Sequence, residues 1–192
     1  MLRETDLVEL WKRLDTVRYL VMRNYDNIIE DLNNGGDLDL LVDRKDDVII
    51  ATKACPMVVG DNCYNYKISI AGNEIPVDLR VVGDGYYDRF WESQMLDTRK
   101  RRGEFYIMDS ENYMYSILYH CIIHKKHIPD KYLPYLHENG IDRVSDLISA
   151  LDNYMLSNGY DYVIPRDKGI GFNRWMYLRR KLSCKLNKKN SK

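Results

Sequence analysis

The sequence predicts an α+β fold in which a small mixed β-sheet with flanking helices is followed by a helical region. Helix-type and strand-type hydrophobic periods alternate over the first half of the chain, and helical periods dominate the second half. The 192 residues, 45% of them hydrophobic and 30% charged, are enough for one buried core with a helical annex. We predict an α/β core over residues 1–85, a mainly helical region packed on it over 86–175, and a basic tail over 176–192.

The elements of the first half follow from periodicity. Apolar side chains at helical spacing predict a helix over 5–14, and a second helix is predicted over 45–53, with a turn or short helix over 25–34. Strands are predicted where apolar residues alternate or run together, over 18–23, 37–42, 66–71 and 75–82. Turn residues at 72–74 separate the last two strands, so these strands should form a hairpin.

The second half reads as helices over 86–96, 110–127 and 142–156, with Asp109 or Ser110 as the cap of the second and a short strand over 105–108. The loop predicted over 99–102 carries four basic residues, and it suits either phosphate or plain solvation. His120, His124 and His127 share one helix face. A packed or surface histidine stripe is favoured over a zinc site, because no carboxylate lies in the same turn.

Two carboxylates open the strand predicted over 37–42. Asp37 and Asp39 are two residues apart, so an extended chain places them on the same face. Adjacent carboxylates repel each other, and a hard divalent cation such as Mg²⁺ relieves that repulsion while keeping positions for phosphate oxygens. Asp78 supplies a third carboxylate on the strand predicted over 75–82. If the two strands are neighbours, the three acids should form one metal site.

The residues around these acids suit a phosphate ligand. Gly35 and Gly36 let the main chain pass close to a phosphate and should offer free N–H groups. Arg23 ends its predicted strand where it could contact a triphosphate, and Arg80 shares a face with Asp78 and could pair with it or with a phosphate. An ordinary surface or ion-pair role stays open for both arginines.

Segments 19–25, 35–42 and 77–80 resemble the nucleotidyltransferase superfamily related to DNA polymerase β, and in particular poorly characterised bacterial and viral members. The resemblance implies a Mg²⁺- or Mn²⁺-dependent enzyme that binds ATP or another nucleoside triphosphate and transfers a nucleoside monophosphate to a hydroxyl acceptor, with a sugar or glycan intermediate as one candidate. It also implies that Asp37 and Asp39 bind two metal ions. Asp78 would bind the catalytic metal and help to deprotonate the acceptor.

One departure from that family keeps two alternatives open. The superfamily usually has a Gly-Ser pair at a helix start upstream of the acids, where this chain has Arg23, Asn24 and Tyr25. A metal-dependent glycosyltransferase would hold a nucleotide-sugar through Asp37 and Asp39, although in such enzymes the acids end a strand. A catalytically degenerate domain would bind a nucleotide or a partner without turnover.

The charge distribution bears on location and partners. No apolar run approaches the roughly 18 residues that a membrane span needs. The N-terminus is acidic where a signal peptide would be apolar, so we expect a cytoplasmic protein without a membrane span. Residues 174–192 contain eight basic and no acidic residues. This tail is open to nucleic acid, which no motif indicates, or to an anionic membrane, and a frayed solvated terminus is the default expectation.

Overall fold

The chain divides into two units in a computed structural model, which describes residues 1–57, 64–125, 127–167 and 169–190, the last eight by their main chain only. The first unit comprises Met1–Asp84 and Arg89–Tyr113, and the second comprises Gly85–Asp88 and Met114–Lys192.

A seven-stranded mixed sheet forms the centre of the first unit, as far as the structure describes it. Its strands in chain order are β1 Tyr19–Val21, β2 Leu38–Val42, β3 Cys55–Pro56, β4 Asn65–Ile70, β5 Asn73–Val81, β6 Lys100–Arg102 and β7 Phe105–Ile107. Their spatial order is β3-β4-β5-β2-β1-β7-β6. β2 runs parallel to β5 and β1 runs parallel to β7, whereas the other neighbours are antiparallel. The predicted α+β class and the β4–β5 hairpin are confirmed.

Buried side chains lie on both faces of the central strands of this sheet. The helices of the first unit are α1 Glu4–Leu14, α2 Ile28–Asn33, α3 Lys45–Thr52 and α4 Arg89–Asp97. One face packs with the apolar side of α1 in a core of buried residues that includes alternate positions of β1, β2 and β5. The intervening positions of the central strands face the other way, and there Leu20, Met22 and Leu41 are fully buried. α4 contacts β2.

The described part of the second unit is helical. Its elements are a π-helix His120–Lys125, a 3-10 turn Asp130–Tyr132, α6 Leu133–Glu138, α7 Val144–Ser157 and α8 Arg174–Asn190. α5, Ser110–Tyr119, contains the division between the units. Its cap is Asp109, whose carboxylate accepts the main-chain N–H of Asn112. Within the described residues, no helix has the length and apolarity needed to cross a bilayer.

The structure corrects the loop predicted at residues 99–102. Most of this basic segment is the edge strand β6, which pairs with β7 across a turn that includes Gly103 at φ +57°. The guanidinium groups of Arg99 and Arg101 lie 4.8 and 5.8 Å from the ring centre of Tyr106. These contacts and the pairing with β7 offset the low strand propensity of charged residues. The sheet therefore continues past residue 85, where the sequence predicted that the α/β core ends.

One predicted helix has different bounds, and the basic tail differs from its expected conformation. The helix predicted to start at residue 86 begins at Arg89, and Tyr86 instead packs its ring 4.3 Å from that of His124 within the second unit. The frayed terminus expected for the basic tail is also wrong, because the main chain is helical to Asn190 in α8.

The long helix predicted over 110–127 changes its hydrogen bonding at His120 and becomes a π-helix. Asn173 donates hydrogen bonds to two carbonyl groups of this π-helix. Its main-chain N–H donates to the carbonyl of Ile123 at 2.7 Å, and its side-chain amide donates to that of Ile122 at 3.0 Å. Gly171 lies so close that an added Cβ would be 2.1 Å from the carbonyl oxygen of His124. A distant segment thus stabilises the irregular turn.

Candidate functional site

Two of the predicted acids lie side by side in the sheet. β2 and β5 are parallel neighbours, and Asp39 is the register partner of Asp78. Both residues belong to the face opposite the α1 core, because their strand neighbours Leu38, Leu40 and Leu79 are members of that core. Directly paired residues have Cβ atoms roughly 5 Å apart. The condition stated from the sequence, that the two acidic strands are neighbours, is therefore met.

A third polar residue extends this row and was missed from the sequence. Asn65 is the register partner of Asp78 on the other side, in β4, so the row crosses three strands. The available signal was the alternation of polar and apolar residues along β4, in which Asn65 shares its face with Lys67 and Ser69. The strand predicted over 66–71 began one residue too late to include it.

Two buried arginines hold the carboxylates. Arg23 donates from a terminal nitrogen to Oδ2 of Asp39 at 3.2 Å. Arg80 donates from Nε and a terminal nitrogen to Oδ2 of Asp78 at 3.1 and 2.9 Å. The arginines are only 6% and 4% exposed, and Arg80 also lies 4.6 Å from the ring centre of Tyr64. Of the two roles left open for Arg80, the pairing with Asp78 is the one observed, and Arg23 has an ion-pair role as well.

The surroundings of Asp78 raise the pKa of its carboxyl group. Burial, together with the neighbouring charge of Asp39, raises the pKa of the Asp78 carboxyl from 3.8 to about 6, although Arg80 and Arg23 act in the opposite direction. Its Oδ1 atom is buried and makes no hydrogen bond to any described residue. Because Arg80 contacts Oδ2 alone, one oxygen of this carboxylate has the capacity to accept a proton or a cation.

Asp37 and the two glycines lie at the start of β2. Asp37 is exposed and directly precedes the strand. The N–H of Gly35 donates to the carbonyl of Leu32, and that of Gly36 donates to the carbonyl of Asp31 at 2.8 Å. The glycines therefore end α2, where Gly35 adopts a φ of +86°. The prediction that they offer free N–H groups to phosphate is wrong, because the helix end already uses both groups.

A cavity of about 440 Å³ opens beside this end of the sheet. It is lined by Gly35, Asp37, Met57, Asn65, Pro76 and Val77. The volume lies within the range of small-molecule and cofactor sites. Gly35 and Asp37 thus line a space that a ligand can enter, even though the glycine N–H groups are not aimed into it.

Residues 23–25, which occupy the position of the family's Gly-Ser pair, form a sharp turn. Asn24 adopts a φ of +57°, a left-handed conformation that asparagine tolerates better than most residues. The ring of the following Tyr25 lies 5.1 Å from that of Tyr113 and 5.0 Å from the guanidinium of Arg102. Arg102 in turn pairs with Asp26 at 2.7 Å. A sharp backbone turn is present here, but aromatic and ionic contacts hold its side chains.

A divalent cation fits the donors at the centre of the row. Mg²⁺ takes oxygen ligands and often only one or two protein carboxylates, with water and phosphate completing its shell. Asp39 and Asp78 supply two adjacent carboxylates, and Oδ1 of Asp78 has no hydrogen-bond partner among the described residues. No group of three or more His, Cys, Asp or Glu side chains suited to a metal occurs in the described part of the chain. The fit therefore concerns Asp39 and Asp78, and Asp37 directly precedes the strand that carries Asp39.

The histidine stripe is a packing feature. His124 is 3% exposed, and its Nε2 lies 3.0 Å from the carbonyl oxygen of Tyr86. His120 is also buried, and its Nδ1 lies 3.4 Å from the hydroxyl of the same tyrosine. His127 is exposed and contacts the carbonyl of Lys125. These contacts agree with the packed stripe that the sequence favoured over a zinc site.

Comparisons with known proteins add little to this geometry. No protein family matches the chain, and no curated protein matches it. Among solved structures, the crystal structure of JHP933 from Helicobacter pylori is similar, with 16% sequence identity and a TM-score of 0.45 over 80% of this chain and 75% of that chain. The interpretation of the site therefore depends on its own residues.

Proposed function

We propose that this chain is a cytoplasmic, magnesium-dependent nucleotidyltransferase that transfers a nucleoside monophosphate from a nucleoside triphosphate to a hydroxyl acceptor. The observation that carries the proposal is the register pairing of Asp39 with Asp78 on one sheet face. Asp37 and Asn65 line a cavity of about 440 Å³ at the same end of the sheet. The resemblance of three sequence segments to nucleotidyltransferases supports the same conclusion.

Asp39 and Asp78 would hold the metal, with Asp37 as a further ligand from the start of β2. Bound there, Mg²⁺ would supply charge stabilisation to the triphosphate and lower the pKa of the acceptor hydroxyl. Arg23 and Arg80 keep the two carboxylates in place, and their positive charges favour an approaching polyphosphate.

Asp78 is the candidate general base. In the metal-free chain its pKa is about 6, so the carboxyl is mostly ionised at neutral pH. In the reaction, the acceptor oxygen forms a bond to the α-phosphorus and the bond from that phosphorus to the bridging oxygen breaks. Pyrophosphate would leave, and the hydroxyl proton would pass to the carboxylate of Asp78.

A second candidate is a domain that binds a nucleotide or partner without turnover. It is favoured by the two arginines, each of which occupies one oxygen of a carboxylate that the metal would need. The glycosyltransferase alternative through Asp37 and Asp39 has weaker support. Asp39 lies inside β2 with a carboxylate beside it, and not at the end of a strand.

A binding and turnover panel tests these candidates. Thermal stabilisation by each nucleoside triphosphate and by sugar nucleotides is measured with Mg²⁺, Mn²⁺ or EDTA, and pyrophosphate release is followed with a set of sugar acceptors. We expect metal-dependent stabilisation by a triphosphate that Asp39→Asn and Asp78→Asn weaken more than about tenfold in affinity. Asp46→Asn, at an exposed acid of α3, is the matched control and should behave as wild type.

Three results separate the alternatives. Stabilisation by sugar nucleotides and by no triphosphate would favour the glycosyltransferase and overturn the proposal. Nucleotide binding that needs no metal, survives both Asp→Asn changes and yields no product would favour the degenerate domain. Binding of neither ligand class under any condition would remove the nucleotide from the site altogether.

A further inference from the structure

The outward side of α8 carries an apolar stripe in a strongly basic helix. Trp175 is 64% exposed, Leu178 is 48% exposed and Leu182 is 61% exposed. Their spacing of three and four residues places them on one face of the helix. Met176 and Arg180 lie on the other side, where they are 1% and 8% exposed, and Arg180 donates to the carbonyl of Asp152. One face of α8 thus packs within the second unit while the opposite face presents a tryptophan and two leucines.

Positive charge flanks this stripe. Arg174 and Lys181 are exposed on one edge. Arg179, at the other edge, pairs with Asp152, and its guanidinium lies 5.7 Å from the ring centre of Trp175. The sequence from 174 to 192 contains eight basic residues and no acidic ones. A helix that is exposed only for solubility does not need three large apolar side chains in a row, and apolar surface framed by one sign of charge marks an interaction site.

We propose that α8 lies on an anionic bilayer surface. Its apolar stripe would enter the boundary between headgroups and acyl chains, with the indole of Trp175 at that boundary, and the flanking basic residues would contact the lipid phosphates. This is interfacial binding in the membrane plane and agrees with the finding that no described helix spans a bilayer. The inference does not depend on the proposed catalytic activity.

Two other occupants fit these observations less well. Nucleic acid would use the basic residues but leave the leucine stripe in water. A second copy of the chain offers a groove of about 640 Å³ in the first unit. Its lining includes Trp11 and Phe105 and four acidic residues, Glu4, Asp26, Glu30 and Glu104. Asp26 already pairs with Arg102, and Glu104 with Arg101, so part of that negative charge is used. The charge complementarity of α8 is greater toward a continuous anionic surface.

Tryptophan fluorescence provides a direct assay on the full chain. The chain has three tryptophans, and Trp11 and Trp91 are 4% and 0% exposed, so Trp175 dominates any response to an added surface. With vesicles of phosphatidylcholine containing one third phosphatidylglycerol, we expect a blue shift of the emission and co-sedimentation of the protein. Pure phosphatidylcholine vesicles should bind much less protein, and high salt should weaken binding to the anionic vesicles.

Single substitutions on α8 test whether its apolar stripe and the flanking basic residues make the contact with the vesicle. Arg174→Ala and Lys181→Ala should each reduce vesicle affinity about fivefold, and Leu178→Ser and Leu182→Ser should each reduce it about tenfold. Trp175→Phe should abolish the spectral shift while keeping most of the co-sedimentation. Ile50→Ser, at a residue of α3 that is 78% exposed, is the control and should leave binding unchanged.

Four outcomes would overturn the proposal. The first is no binding to anionic vesicles at low salt, and the second is binding that both leucine variants retain in full. The third is that the leucine variants abolish self-association in light scattering while no vesicle binding occurs, which would make the second copy the occupant. Tight binding of a DNA or RNA duplex that the leucine variants retain, without vesicle binding, would likewise favour nucleic acid.

Discussion

Asp78→Asn changes a buried carboxyl into an amide of nearly the same shape, and its effect on stability should depend on pH. The wild-type carboxyl has a pKa of about 6 in the folded chain and close to 3.8 when unfolded. At about 1.4 kcal/mol for each pKa unit, this rise corresponds to roughly 3 kcal/mol. Burial is its largest cause, so the magnitude measures how poorly the folded site solvates the ionised group.

The sign follows from proton binding. Between pH 4 and pH 6 the unfolded carboxyl loses its proton while the folded one keeps it, so the free energy of unfolding decreases as the pH rises. Above about pH 6 both states are ionised and the cost stays constant. The amide of the Asp78→Asn variant does not titrate. The free energy of unfolding of the variant minus that of wild type should therefore increase by up to about 3 kcal/mol from pH 4 to pH 7.

Urea unfolding at closely spaced pH values, in EDTA, measures this difference. Trp11 and Trp91 are buried in the unit that carries Asp78, so their fluorescence in a Trp175→Phe background follows that unit. Asp46→Asn, at an exposed acid of α3, is the matched control. A flat or decreasing difference for Asp78→Asn would refute the reasoning, because it would mean that the folded site does not favour the protonated form.

Two further predictions concern contacts that the structure isolates. Arg80→Met removes the cation that pairs with Asp78, so it should lower the free energy of unfolding by about 3–5 kcal/mol at pH 8. The loss should be clearly smaller at pH 5, where the carboxyl is protonated. Equal losses at both pH values in urea unfolding would contradict this. Gly171→Ala should destabilise the second unit by about 3 kcal/mol, because its Cβ would be 2.1 Å from a main-chain oxygen of the π-helix. Gly169→Ala is the matched change, since only a flexible carboxylate oxygen lies 3.1 Å away, and thermal unfolding followed by circular dichroism should show a shift for Gly171→Ala alone.

The elements set by local periodicity could be predicted from the sequence. The alternation of acid and leucine around Asp39 predicted β2, and the turn residues at 72–74 predicted the β4–β5 hairpin. The sequence could not predict that β2 and β5 are neighbours, because parallel pairing joins segments far apart in the chain and leaves no local pattern. The metal site was therefore predicted only on the condition that these two strands pair. That condition decides whether Asp39 and Asp78 form a site at all.

Other features depend on partners that a window of sequence does not contain. The basic segment at β6 became a strand because β7 pairs with it and Tyr106 packs under its arginines. The π-helix depends on Asn173, which lies 51 positions beyond Ile122. The glycines before Asp37 were interpreted as a phosphate turn because the end of α2 was not predicted to need their N–H groups. In each case the deciding contact is between distant residues.

The two arginine–carboxylate pairs argue against a purely structural role for this face of the sheet. Their neighbours Leu41 and Met22 are fully buried, so apolar residues would pack here without difficulty. Replacing buried ion pairs by apolar residues is often neutral or stabilising, which makes two such pairs on an apolar face costly to keep for stability alone. The site also leaves Oδ1 of Asp78 buried without a hydrogen-bond partner among the described residues, and an unsatisfied group of this kind costs about 1–3 kcal/mol. A proton at that oxygen would remove the cost, and under the proposed function a divalent cation would do the same.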